Sequence, residues 1–323
     1  MDKSKHLESV IKTHQITKEE SLLNKFKNRN KEVKESLEKN YGANIYSPFN
    51  SGSYAKNTAI NTRFDFDLVC PFKRNAFGAN GTLKEMYEDV FTVLQEEYKG
   101  VATVKKQKVS IGIEFYSDDD GDIIKIDVVP GREFNLDQYK DDQNLNLYVY
   151  KQYGLFSEGS ERLKTNIEAQ KAHVIDRATS EKEKIRKIVR LLKIWKVESG
   201  KKYKSFFLEL FVIKAVENKD VTGNLWEKLE TVLTFIKDKS TTQGFKLTDP
   251  GNSSNNLMDT LEDFEKENLK NEMDNMLRQI NNNDENIKYY FPENQKFVEE
   301  EKEQYNSKQS ASPLYVPPKI NFG

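Results

Sequence analysis

Arg63-Phe64-Asp65-Phe66-Asp67-Leu68-Val69 alternates apolar and polar residues one for one, the period of a half-buried β-strand. Asp65 and Asp67 therefore point the same way, with Phe64, Phe66 and Leu68 buried behind them. Further on, Ile124-Lys125-Ile126-Asp127-Val128-Val129 repeats the pattern with one aspartate, and Ile124, Ile126 and Val128 face away from Asp127. Two such strands side by side would bring three carboxylates together. Like charges at contact repel and shift one another's pKa values, so such a cluster calls for a cation. Hard oxygen ligands select Mg²⁺ or Mn²⁺. Two ions about 3.5–4 Å apart can activate a hydroxyl and steady a leaving pyrophosphate. Upstream, Gly52-Ser53 supplies a turn with exposed amides and a hydroxyl, the parts of a phosphate cradle. Alone that pair is an ordinary loop; its place ahead of Asp65 gives it weight.

The composition narrows the setting. A chain of 323 residues suggests two domains or one bilobal unit. Charged residues make up 32% but the net charge is only −1, which argues against a protein that mainly binds nucleic acid. Lysine and arginine crowd residues 181–204, and Glu, Asp and Asn crowd 259–303. No apolar run is long enough to cross a membrane, and the start has no signal-peptide pattern. Cys70 is the single cysteine, so an internal disulfide is excluded, and with only His6, His14 and His173 so is a Cys/His zinc site. These features fit a cytoplasmic protein.

Along the chain, Thr17-Lys18-Glu19-Glu20 matches a capping box and predicts a helix from about residue 18 to Tyr41-Gly42. A short strand is expected over 44–49, a turn over 50–53, a strand from Phe64 to Phe72 and a helix over 82–98. Val109, Ile111, Ile113 and Phe115 begin a hairpin that turns at Asp118-Asp119-Asp120-Gly121 and returns from Ile123 to Val129, with Pro130-Gly131 as its end. The acidic turn hints at a calcium loop, but the EF-hand pattern needs Glu where Val129 stands. Helices are expected over 160–175, 181–198, 205–217, 224–238 and 257–280. In the second of these Ile185, Ile188, Val189, Leu192 and Trp195 form an apolar stripe, and Arg186, Arg190 and Lys193 share another face. The class is α+β: a mixed-sheet N-terminal lobe with an N-terminal helix (1–160), a helical lobe (161–302) and a flexible tail (303–323).

Gly52-Ser53-Tyr54-Ala55-Lys56-Asn57-Thr58-Ala59-Ile60, then Asp65-x-Asp67 and Asp127, resembles the signature of the polymerase-β-type nucleotidyltransferases. Three later blocks narrow the resemblance to the cGAS/DncV-like nucleotidyltransferases, the signal synthases of bacterial CBASS anti-phage systems. They are Leu192-Lys193-Ile194-Trp195-Lys196, Lys204-Ser205-Phe206-Phe207-Leu208-Glu209-Leu210, and Asp249-Pro250-Gly251-Asn252-Ser253-Ser254-Asn255-Asn256. The last is degenerate, and the whole covers about residues 40–260. The resemblance implies that Asp65, Asp67 and Asp127 bind two Mg²⁺ ions (Mn²⁺ as an alternative) and that Asp127 also acts on the attacking sugar hydroxyl. It implies that Gly52, Ser53, Lys193, Ser205, Asp249 and Asn256 contact nucleotide, and that Phe206 stacks on a base where relatives often carry Tyr. From the residues alone, Lys193 reads equally as a surface lysine, Phe206 as a core residue and Asn255-Asn256 as loop.

The activity implied is synthesis of a cyclic di- or oligonucleotide second messenger from NTPs, with release of pyrophosphate, for an effector that binds the product. An obligate nucleic-acid activator is not expected, because there is no Cys/His insert and no net positive charge. The tail ending in Gly323 resembles one joined to other molecules by ubiquitin-like conjugation machinery; an ordinary chain end reads as well. The rivals are a template-independent RNA-end nucleotidyltransferase, a toxin–antitoxin-type protein modifier, and a nucleotide-binding scaffold without activity. Base choice, linkage and ring size are not legible.

Overall fold

The computed structural model describes residues 1–62, 65–150 and 162–298. In chain order the elements are α1 (Lys3–Thr13), α2 (Glu20–Tyr41), β1 (Phe49–Ser51), α3 (Gly52–Ala55), β2 (Phe66–Phe72), α4 (Leu83–Glu97), β3 (Ala102–Lys106), β4 (Ile111–Phe115) and β5 (Lys125–Glu133). They continue as α5 (Tyr139–Asp142), β6 (Leu145–Tyr148), β7 (Arg162–Thr165), α6 (Ile167–Ile175), α7 (Thr179–Glu198), α8 (Ser205–Asn218), α9 (Leu225–Lys239), β8 (Thr248–Asp249), β9 (Asn252–Asn256), α10 (Asp263–Asn282) and α11 (Ile287–Tyr290).

A seven-stranded sheet runs in the order β1-β2-β5-β4-β3, with β6 on the far half of β5 and β7 beyond it. Only β2 and β5 are parallel; the other pairs are antiparallel, so the sheet is mixed. The β2–β5 register sets Asp67 directly against Asp127. Phe66, Leu68 and Cys70 on β2 and Ile126 and Val128 on β5 point into a core shared with Leu23, Phe26, Val33 and Leu37 of α2 and Met86, Tyr87, Val90 and Leu94 of α4. Two helices thus cover one face, and alternation leaves the aspartates on the other. A second core is built by α7, α8, α9 and α10, where Trp195, Phe207, Phe211 and Trp226 are buried. Leu7, Val10 and Ile11 of α1 belong to that helical core, although α1 opens the chain.

Several local expectations are corrected. The capping box at Thr17 does not form: residues Ile16–Lys18 make a 3₁₀ turn, and α2 starts at Glu20 behind Glu19, without a side-chain cap. The Thr82–Glu85 pair, by contrast, closes a reciprocal box on α4. The strand expected over 44–49 is β1 at Phe49–Ser51, and the turn over 50–53 becomes the helical turn α3. Pro130-Gly131 does not end β5. Gly131 lets β6 approach, since a Cβ there would lie 2.9 Å from Leu145 Cδ1 and Leu147 Cδ2, and the strand continues to Glu133. At 162–165, where a helix was expected, lies β7; α6 starts only after the Asn166 cap. The segment 257–280 divides into a 3₁₀ turn, Leu257–Thr260, and α10. The lobe boundary at 160–161 and the tail 303–323 with Gly323 lie outside the described residues. No helix among the described residues is long and apolar enough to cross a membrane.

Candidate active site

Gly52 begins the site. Its φ of +65° suits a residue without a side chain, and a Cβ there would fall 1.7 Å from Asp67 Oδ2. The glycine lets the Asp67 carboxylate lie against the turn. Asp67 and Asp127 are half-buried and Asp65 is exposed. Burial, then the charges of Asp65 and Asp127, push the Asp67 carboxyl up to about 7, against the opposing pull of Lys56 and Lys193. The Asp127 carboxyl is also raised, by burial first and then by Asp65, with a hydrogen bond from Gln107 opposing. Mutual repulsion among hard oxygen donors on one sheet face fits a site for divalent cations.

That set is distinct from another acidic group. Among the described residues the only three acidic side chains whose oxygens all lie within 4.8 Å of one another are Asp118, Asp120 and Asp122, and an acidic triplet of that kind is able to hold a metal ion. These belong to the β4–β5 connection. The Lys25 ammonium from α2 sits among them, 2.7, 2.5 and 2.6 Å from Asp118, Asp120 and Asp122.

A cavity of about 340 Å³ opens between the sheet and the helical lobe, bounded by Ser53, Asp65, Asp67, Lys193, Ser205 and Phe206. A second, of about 310 Å³, adjoins it and includes Asp249, Gln170, Thr165 and Leu147. Gly52, Lys56, Asp67 and Phe206 border both. Lys56 Nζ donates to Glu209 Oε1 at 2.6 Å, both side chains being almost fully buried, and lies 5.0 Å from the Phe206 ring centre. This ion pair ties the Gly-Ser turn to α8 across the cleft.

Helix α7 grips the same turn. Arg186 Nε donates to Lys56 O at 3.0 Å, Arg190 Nη2 to Asn57 O at 2.7 Å and Lys193 Nζ to Thr58 O at 2.9 Å. The three cations grouped on one helix face thus meet three successive carbonyls. Lys193 is buried, which lowers its pKa to about 8 although the Glu209 charge opposes the shift. Ser205 Oγ accepts from Lys196 Nζ at 3.0 Å at the start of α8.

Of the residues expected at the site, Gly52, Ser53, Asp65, Asp67, Lys193, Ser205 and Phe206 border the first cavity. Asp127 stands beside Asp67 on the neighbouring strand. Asp249 borders the second cavity, but its carboxylate is occupied by Gln170 Nε2, Asn255 Nδ2 and the Gly251 amide. Asn256 is not brought to the cleft: its Oδ1 accepts from the Leu247 and Met258 amides, and it borders a different cavity. No motif in the sequence singles out Lys56, Glu209, Gln170 or Gln107 as a site residue. Glu209 carried a signal, a lone acid inside the apolar run Phe206–Ile213, which in a buried helix requires a partner.

No family model and no curated protein matches the sequence. Solved structures do. The chain is similar to the Bradyrhizobium diazoefficiens CD-NTase CdnG in complex with GTP, with 13% identity, TM-score 0.67, and 95% of this chain and 99% of that one covered. It is similar to CdnC of E. coli MS115-1 with ATP, at 17% identity and TM-score 0.62 over 85% of this chain and 91% of that one. It is similar to Vibrio cholerae DncV cyclic AMP-GMP synthase in complex with a linear intermediate, 5′ pppA(3′,5′)pG, at 12% identity and TM-score 0.57 over 76% and 68%. A mixed sheet bearing the aspartates, a helical lobe and a cleft between them give this chain the fold of the CD-NTases.

Proposed function

We propose that the chain is a nucleotidyltransferase that joins two or more NTPs into a cyclic di- or oligonucleotide signal in anti-phage defence. The observation that carries this reading is that two adjoining cavities border Asp67 and share the Phe206 ring. One nucleotide on each side would present a sugar hydroxyl of one to the α-phosphate of the other. Solved structures of the same fold hold GTP, ATP or a linear dinucleotide.

In this reading residues 1–160 carry the chemistry and 161–302 hold the nucleotides. The protein works in the cytoplasm without an obligate nucleic-acid activator. Asp65, Asp67 and Asp127 hold two Mg²⁺ ions, with Mn²⁺ able to replace them. When bound, the ions neutralise developing phosphate charge and acidify the attacking hydroxyl. Asp127 takes the proton of that hydroxyl. Ser53 and Lys193 border the space for the donor triphosphate, while the Lys56 charge in its wall is paired with Glu209. Phe206 offers an apolar face to a base. The α7 cations hold the turn still, so catalysis draws on positioning. After the first joining step, the product's remaining hydroxyl and triphosphate react in the same site and close the ring.

Incubation with all four NTPs and Mg²⁺ tests this. A small phosphatase-resistant product with release of pyrophosphate, identified by mass spectrometry, is expected, and Asp65→Asn with Asp67→Asn should abolish it. Labelled RNA would point to end-tailing, a labelled protein to protein modification, and no turnover to a binding scaffold.

A further inference from the structure

Asp127 is held by more than its strand. Gln107 Nε2 donates to Asp127 Oδ1 at 2.9 Å, and Gln107 Oε1 accepts from Ser110 Oγ at 2.8 Å. A carboxylate only accepts, so its presence fixes which end of the amide faces it. The segment carrying Gln107 is itself pinned. Its backbone N–H donates to Ser110 O at 2.9 Å, and the fully buried Tyr87 of α4 donates its hydroxyl to Ser110 O at 2.7 Å. Gly112, the β4 partner of Asp127, completes the arrangement. Its backbone is not left-handed, so no torsional need selects glycine, but a Cβ there would fall 2.3 Å from Gln107 Nε2. The bare position lets the Gln107 side chain cross β4 to reach the aspartate.

We infer that Gln107 is a positioning residue for the nucleotidyl-transfer site: it locks the Asp127 carboxylate in one rotamer and occupies Oδ1, leaving Oδ2 for the cations and the attacking hydroxyl. The inference rests on the reading of the site given above. Partners that orient a metal-binding side chain are worth about 10–100-fold in metal affinity or activity when removed.

The test compares Gln107→Met, which keeps length without a donor, and Gln107→Ala with the unaltered protein. Three readouts are needed: steady-state kinetics with NTPs, Mn²⁺ affinity of the nucleotide-free protein by electron paramagnetic resonance, and melting temperature. Both variants should lose about 10–100-fold in kcat and in Mn²⁺ affinity, with NTP KM and melting temperature unchanged, because the side chain is exposed. Gly112→Ala should lower kcat in the unaltered protein and add little to Gln107→Ala. If the unaltered protein turns over NTPs and both Gln107 variants match it in kcat and Mn²⁺ affinity, the inference is overturned while the function stands. A fall in melting temperature that accounts for the lost activity overturns it too, making Gln107 structural. If the unaltered protein neither binds Mn²⁺ nor turns over NTPs, the functional reading fails and takes the inference with it.

Discussion

Glu209→Gln removes one charge from the buried pair that spans the cleft. At 2.6 Å, Coulomb attraction at an effective dielectric of 20 is roughly 6 kcal/mol, from which the desolvation of both ions must be subtracted. Removing one partner leaves the other charge buried and unpaired, which costs about 3–5 kcal/mol. The Phe206 ring recovers only about 1–2 kcal/mol of that for Lys56 through its π face. Net losses of about 1–4 kcal/mol for Glu209→Gln, and about 3–5 kcal/mol for Lys56→Met, follow. The double change Lys56→Met with Glu209→Leu replaces the pair by apolar groups and should return to within about 1 kcal/mol of the original. Urea unfolding at neutral pH, with slopes compared across the four proteins, measures each value. If the double variant is destabilised as much as the single ones, or each single loss is below about 0.5 kcal/mol, the bridge does not hold the lobes together and the reasoning fails.

Three other outcomes are expected. Gly52→Ala should cost about a hundredfold or more in kcat, since the new Cβ must displace Asp67 Oδ2 from 1.7 Å; full activity in a kinetic assay would remove the glycine from the site's design. Lys193 holds its proton less readily when folded, with a pKa lowered from 10.5 to about 8. The unfolded chain therefore binds more protons between those values, and stability rises with pH there, by up to about 3 kcal/mol. Denaturation of the unaltered protein minus Lys193→Met should show that rise between pH 8 and 10.5, and a flat difference would contradict it. Because the Asp67 carboxyl sits at about 7, a cation must displace its proton in more acid solution. Mn²⁺ affinity should then fall by up to about tenfold per pH unit below 7 and level off above it, as titration at several pH values would show.

The strands bearing Asp67 and Asp127 and three helices of the second lobe were legible because their apolar periods are long and regular: β2, β5, α7, α8 and α9 lie close to where alternation and the helical stripe place them. The short elements were not. β3, β6 and β7 have four or five residues each, too few for a period to stand out, and their pairing comes from neighbours distant in sequence. The Thr17 capping box failed because a 3₁₀ turn already occupied its residues.

By itself the sequence determined that Asp67 and Asp127 sit on amphipathic strands facing away from an apolar core, because side-chain direction along a strand is a local property of the backbone. Asp65 precedes β2, which begins at Phe66 and not within the first residues of the expected strand. It determined too that Arg186, Arg190 and Lys193 share a helix face. Only the tertiary structure decided what those side chains meet. Lys56 and Glu209 are 153 residues apart in the chain, Gln107 reaches Asp127 across a glycine, and Asn256 caps a turn away from the cleft. Contacts between distant segments depend on strand register and helix packing, which the whole chain settles at once and no short stretch encodes.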